Sequence, residues 1–161
     1  MQKENVALLS RYNRTMNEQF YEACTQLTSE QLEDDRGAFF GSIFGTLNHL
    51  LLTDRLWLGA FTDNPLQFNS LDERLCATFI ELRHEREATD AAIAEWAETL
   101  TDERLQQPAT QQLQMPLWVA VTHFFNHQAH HRGQVSALLS QCGVDYGTTD
   151  LPWVPGVVQW S

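Results

Sequence analysis

The sequence LWVAVTHFFNHQAHHRGQVSALLSQ, residues 117–141, carries the pattern that decides the fold. Bulky apolar residues recur through it at spacings of three and four, which is the period of an amphipathic α-helix. Residues four apart lie on one face of a helix, one turn apart, so His127 and His131 form a clip for a divalent metal ion. Four of the six histidines in the chain fall within nine positions of this stretch: His123, His127, His130 and His131. The stretch therefore predicts a long helix with a metal site on one side.

A clip of two histidines normally needs a third protein ligand, and the remaining histidines are His49 and His84. His49 lies in the middle of the most apolar stretch of the chain, so we expect it to be buried. A lone buried histidine more often bonds to a backbone carbonyl or a hydroxyl, but here the clip can converge on it. His84 is the weaker candidate, because its neighbours mark a solvated helix face: Arg83, Glu85, Arg86 and Glu87. We therefore predict a metal site formed by His49, His127 and His131.

The other polar residues near these positions have weaker claims to a role. We expect His123 to line the pocket without reaching the metal and His130 to face solvent or a second subunit. Asp54 is a candidate to orient a ligand or to take a proton, although exposed aspartates are common on such helices. Asn126 and Gln134 are candidates to hydrogen-bond to the imidazoles or to a substrate, as the outer partners of metal ligands do. Without a metal, the clip histidines would bond to carboxylates or to water.

Apolar residues at helical spacing predict three further long helices. With the stretch quoted above, the four predicted helices cover approximately residues 5–27, 42–61, 70–99 and 117–141. Ser70 with Glu73 has the pattern of a capping box, which predicts the start of the third helix. Pro116 fits the first turn of the fourth, and Gly143 fits a left-handed cap after its end.

Shorter signals fill the connections between these helices. Thr28 with Gln31 forms a capping box for a short turn of helix. Residues 106–116, rich in Gln and Thr and bounded by two prolines, predict a loop or a small hairpin. Four long helices with short connections predict an all-α fold: an antiparallel four-helix bundle with short extra turns and an irregular C-terminal tail. We expect residues 1–161 to form a single domain.

The composition excludes several classes of partner. The 161 residues carry a formal net charge of −11, and the ten Lys and Arg residues are scattered, so we expect no nucleic-acid partner. No apolar run approaches the ~20 residues that span a bilayer, so we expect no membrane partner. Cys24, Cys76 and Cys142 share no close spacing and have no activating basic cluster, and the chain begins with a polar run. These features predict a reduced, cytoplasmic protein.

A family resemblance rests on the same residues. The run HFFNHQAHHRGQ, residues 123–134, preceded by NHL at residues 48–50, closely resembles the DinB family of metal-binding four-helix bundles. The earlier helix carries two further residues of the pattern, Asp54 and Trp57. The resemblance covers nearly the whole chain. It implies that His49, His127 and His131 hold the metal between the second and fourth long helices, that the metal is commonly zinc or nickel, and that the protein is a homodimer.

Three hypotheses for the function follow. The first is a metal-dependent enzyme with a small-molecule substrate, because three histidines on a dication leave an open coordination position. The resemblance favours activation of a low-molecular-weight thiol, of the S-transferase type, over hydrolysis by metal-bound water. The second is a non-catalytic protein in which the metal fastens two helices together. The third, a haem-binding bundle, ranks last because histidines one turn apart chelate one small ion better than they face each other across a porphyrin.

Overall fold

In residues 1–158, which the computed structural model describes, four long helices form a bundle: α1 (Lys3–Cys24), α3 (Ile43–Phe61), α4 (Phe79–Glu98) and α6 (Leu117–Gln141). Two five-residue helices, α2 (Ser29–Glu33) and α5 (Asp102–Gln106), lie between them, and a 3-10 turn at Leu151–Trp153 follows. These described residues contain no strand, only two isolated bridges. The predicted all-α four-helix bundle is confirmed.

Two apolar clusters at opposite ends of the bundle define the helix directions. One cluster contains the start of α1, the end of α4 and the start of α6. The other contains the end of α1, the first half of α3 and the end of α6. Helices α1 and α6 therefore run one way, and α3 and α4 run the other. Contacts around the ring join α1 to α4, α4 to α3, α3 to α6 and α6 to α1, so α1 with α4 and α3 with α6 form two antiparallel pairs.

The third long helix begins at Phe79, and the prediction that it begins at Ser70 was wrong. Its N-cap is Thr78, whose side chain accepts a hydrogen bond from the backbone N–H of Glu81 in a true capping box. Because α3 and α4 run in the same direction, residues 62–78 must return along α3 before α4 can start. For a helix of 19 residues that distance is about 28 Å. The segment is therefore an extended crossover, which helical spacing in the sequence does not reveal.

Two side chains of α3 hold part of this crossover outside a helix. In a helix, the Leu71 carbonyl would accept a hydrogen bond from the Leu75 N–H. Here the Leu75 N–H donates to the side-chain oxygen of Asn48 at 2.9 Å, and Nδ1 of His49 lies 2.8 Å from the Leu71 carbonyl oxygen. Partners from α3 thus replace the helical hydrogen bond that the local sequence pattern predicted.

Most of the shorter predicted features are present. Helix α2 has the predicted capping box between Thr28 and Gln31. Pro108 and Pro116 form a bridge that closes the predicted small hairpin, and Pro116 is the N-cap of α6. Gly143, with φ of +73°, follows the end of α6 as expected. Helix α5 was not predicted, although a threonine N-cap precedes it. The predicted tail is irregular apart from the 3-10 turn, and its residues 159–161 lie outside the described residues.

Two expectations concern the chain as a whole. Among the helices of residues 1–158, none combines the length and the apolar character needed to cross a lipid bilayer. That residues 1–161 form one domain stays a prediction.

Polar side chains from all four long helices meet between the two apolar clusters. This polar layer consists of Asn13, Asn17, Asp54, Arg86, Asp90, Gln128 and Arg132, all of which are buried. Arg86 pairs with Asp54 of α3 at 2.5 Å and with Asp90 of its own helix at 2.9 Å. The Asn17 amide donates to both carboxylate oxygens of Asp90, and Arg132 of α6 donates to the other asparagine of α1. Two arginines and two aspartates make the layer formally neutral.

Burial and charge pairing oppose each other in this layer. The pKa of Asp54 is raised to about 7, because burial outweighs the opposing effect of the nearby Arg86 guanidinium. Burial also raises the pKa of Asp90, again against the effect of Arg86. Arg86 therefore lowers the free-energy cost of ionising the two buried carboxyl groups.

Replacing Arg86 with alanine is expected to lower the free energy of unfolding by about 3–5 kcal/mol, because Asp54 and Asp90 lose their charged partner but stay buried. Urea unfolding followed by circular dichroism measures the change. Arg14→Ala is the control, since it removes an exposed pair with Glu18 and should cost less than about 1 kcal/mol. Similar small effects of the two substitutions would contradict the structural role of the polar layer.

Candidate metal centre

Three imidazoles converge at one point between α3 and α6. Nε2 of His127 lies 3.1 Å from Nε2 of His131 and 3.4 Å from Nε2 of His49. One ring nitrogen from each of the three lies within 4.8 Å of the other two. A tetrahedral ion with metal–nitrogen bonds of the length found for zinc needs nitrogens about 3.3 Å apart. The spacing of the three rings therefore fits a single small metal ion.

His49 is held in the orientation that a metal ligand needs. Its side chain is 4 % exposed, and its Nδ1 lies 2.8 Å from the carbonyl oxygen of Leu71 in the crossover. A carbonyl can only accept, so Nδ1 carries the proton and Nε2 keeps its lone pair. The ring of Phe40 stacks on the imidazole with the two centroids 3.8 Å apart. The carbonyl and the phenyl ring together fix the tautomer and the plane of this imidazole.

A glutamine gives His131 the same kind of support. Nδ1 of His131 lies 2.8 Å from Oε1 of Gln134, one turn further along α6. The amide oxygen accepts a hydrogen bond from the Nδ1–H of His131, which leaves the lone pair of Nε2 facing the other two histidines. The amide nitrogen of Gln134 lies 3.5 Å from Nε2 of His130. The predicted role of Gln134 as a partner of the imidazoles therefore agrees with its position.

The surroundings favour neutral imidazoles at all three positions. Burial, together with the neighbouring His131 and His49, lowers the pKa of His127 to about 4. Burial also lowers the pKa of His49 and of His131, while the bonds to Leu71 and Gln134 act in the opposite direction. Neutral imidazole is the form that binds a metal ion. The cluster is thus in its ligand form near neutral pH.

Two other histidines of α6 lie beside the cluster without joining it. His123 is exposed, and its ring packs on Trp57 with centroids 5.1 Å apart and lies 5.9 Å from the ring of His127. The ring of His130 is also exposed and lies 4.9 Å from that of His131. Both positions agree with the expectation that these two histidines are not ligands.

The remaining candidates lie away from the histidines. His84 is exposed on α4 and lies near Glu85, as the sequence indicated. Asp54, a candidate to orient a ligand or to take a proton, is buried in the polar layer, where Arg86 binds it. Asn126 is exposed and has no hydrogen bond to the imidazoles within the described residues. The free cysteines do not belong to the cluster, and burial raises the pKa of Cys24 to about 12.

Sequence reasoning missed two parts of the centre. A backbone carbonyl such as that of Leu71 has no sequence signature, and its contact depends on the crossover. Phe40 stands between Gly37 and Gly41, whose φ angles of +75° and +74° shape a tight loop before α3. The loop places the ring of Phe40 on that of His49. The two glycines were the sequence signal for the turn.

Comparison with known proteins bears on this site. The sequence model of the DinB family matches residues 1–160. The chain belongs to the DinB family. Protein DinB of Bacillus subtilis (strain 168) is 28 % identical in an alignment of 162 positions that covers 88 % of this chain and 88 % of that protein. The crystal structure of a DinB-like protein from Bacillus cereus ATCC 10987 shares the fold, with a TM-score of 0.60, 20 % identity, and coverage of 83 % of this chain and 89 % of that one. Membership in the DinB family and the three-histidine cluster fit a metal-binding protein.

The purified protein is expected to carry about one divalent first-row ion per chain, because three converging imidazoles bind far better than two. His49→Ala, His127→Ala and His131→Ala should each reduce the metal content strongly, as measured by inductively coupled plasma mass spectrometry. His84→Ala is the control, because this exposed histidine lies on a different helix. Unchanged metal content in His49→Ala would exclude His49 and would make His123 the next candidate.

Proposed function

We propose that this DinB-family chain is a metal-dependent enzyme that activates a low-molecular-weight thiol, as S-transferases do. The observation that carries the proposal is the donor set of the three-histidine centre. In residues 1–158, the ring nitrogens of His49, His127 and His131 contact a backbone carbonyl, a glutamine amide and one another, and no carboxylate. Three neutral ligands would leave the full charge of a dication uncompensated. Such a centre favours an anionic ligand such as a thiolate.

The same observation makes hydrolysis the weaker candidate. Metal-dependent hydrolysis commonly uses a carboxylate beside the metal as a general base for water. Asp54, the carboxylate suggested by the sequence, is buried and paired with Arg86 instead. A thiol needs no such base, because its proton is much more acidic than that of water and can pass to solvent.

A divalent ion in the centre, with zinc or nickel proposed, would lower the pKa of a bound thiol and hold it as thiolate. The residues of the chain hold the ligand rings in place: Leu71 and Phe40 act on His49, and Gln134 acts on His131. In the proposed reaction the thiol loses its proton, and its sulfur forms a bond to an electrophilic carbon. The leaving group then departs with its bonding electrons. No cysteine of the chain lies in the cluster, so the thiol comes from outside.

The test is a titration of the cobalt-substituted protein with glutathione, cysteine, bacillithiol and mycothiol. At least one thiol should produce the near-ultraviolet charge-transfer band of a cobalt–sulfur bond, and its binding should release a proton. His127→Ala should abolish the band and His84→Ala should keep it. Binding of simple anions without a band for any thiol would favour hydrolysis. A centre that binds metal but no added ligand would favour the non-catalytic hypothesis.

We also propose that the protein is a cytoplasmic homodimer. The free state of all three cysteines supports a reducing compartment. Ile80 and Trp153 support association, since their side chains are 81 % and 70 % exposed and a second copy could cover them. Multi-angle light scattering at micromolar concentration should give twice the chain mass of 18.5 kDa. A mass of one chain across that concentration range would contradict the dimer.

A further inference from the structure

A cavity of about 660 Å³ shares two of its lining residues with the surroundings of His49. Phe40 belongs to both: it lines the cavity, its ring stacks on His49, and it lies 5.6 Å from the ring of His131. Leu71 also links the two, because its residue lines the cavity while its carbonyl holds His49. The volume is in the range of pockets that bind small molecules. A molecule in this cavity would contact Phe40 and Leu71, two residues that contact His49.

Apolar side chains that line this cavity are exposed to solvent. Phe39 lines the cavity with its side chain 85 % exposed, and Leu71 is 52 % exposed. The rings of Phe39 and Phe40 meet edge to face with centroids 4.9 Å apart. The exposed ring of Phe39, beside the half-buried ring of Phe40, offers a stacking surface for another flat ring. The exposure of Phe39 and Leu71 has no packing benefit in the free protein, which is typical of a binding surface.

The charges beside the cavity do not select an anion. Arg74 lines it, but both terminal nitrogens of its guanidinium bind the carboxylate of Glu33. The same guanidinium lies over the ring of Phe44, 4.9 Å from its centroid, which fixes it further. Asp72 adds a negative charge to the lining. With Arg74 neutralised, the lining favours a neutral group over a carboxylate or a phosphate.

We propose that this cavity binds a neutral aromatic or conjugated ring that forms the body of the substrate, with the reacting end at the three-histidine centre. Phe39 and Phe40 are then the specificity-determining residues. The proposal rests on the proposed function, because it assigns the cavity to the electrophile that the activated thiol attacks.

The experiment compares imidazole with 4-phenylimidazole, which differ by one neutral ring and bind metal through nitrogen. Isothermal titration calorimetry on the cobalt-loaded protein should show at least about tenfold tighter binding of 4-phenylimidazole, from stacking of the added ring. Phe39→Ala should lose most of that preference while binding imidazole as before. Phe40→Leu should also reduce the preference, and the affinity of that variant for imidazole reports separately on any change in the orientation of His49. Phe68→Ala is the control, because Phe68 is exposed but does not line the cavity.

Equal affinity of the parent protein for the two probes would overturn the proposal. An equal loss of preference in Phe39→Ala and Phe68→Ala would do the same. The same titration on the metal-free protein separates this proposal from the proposed function. There, 4-phenylimidazole should still bind weakly. Phe39→Ala should reduce that binding, and Phe68→Ala should leave it unchanged. If no thiol binds the cobalt protein but the phenyl preference holds, the cavity stands and thiol activation fails. If neither arm shows the preference, the cavity is not a ring-binding site.

Discussion

The arrangement of this bundle depends on four buried charges. Asp54, Arg86, Asp90 and Arg132 lie in one layer between two apolar clusters and come from α3, α4 and α6, with asparagines of α1 completing the layer. Apolar side chains can repack in many registers at modest cost, whereas a buried charge without its partner costs several kcal/mol. The layer therefore penalises registers that separate Arg86 from Asp54 or Arg132 from Asn13.

The same register brings the metal ligands together. His49 and Asp54 lie on α3, separated by little more than one turn, and His131 directly precedes Arg132 on α6. When the layer fixes α3 and α6 relative to α1 and α4, it also fixes the distance between His49 and the histidine clip. Asp54 thus contributes to the centre through the position of its helix, without contact with a ligand. A bundle held by apolar packing alone would leave that distance less well defined.

The sequence was sufficient for the features that depend on local periodicity. The clip at His127 and His131 follows from helical spacing, and the choice of His49 follows from an apolar neighbourhood that predicts burial. The start of α4 was not predictable in this way, because Ser70 and Thr78 each begin a capping-box pattern. Only the parallel direction of α3 and α4 decides between them, and that direction depends on contacts between distant residues. The role of Asp54 was missed for the same reason, since its partner Arg86 lies 32 positions away.

The site forms because the segment that follows Ser70 is not helical. Inside a helix, the carbonyl of Leu71 would accept a hydrogen bond from the N–H of Leu75. The side chain of Asn48 instead accepts the hydrogen bond from the Leu75 N–H. The Leu71 carbonyl then accepts a hydrogen bond from His49, the next residue of α3. Adjacent side chains of one helix thus hold the crossover open and use it to orient a metal ligand. Because the crossover also forms a wall of the cavity, a change in the cavity at Leu71 would be transmitted to the orientation of His49.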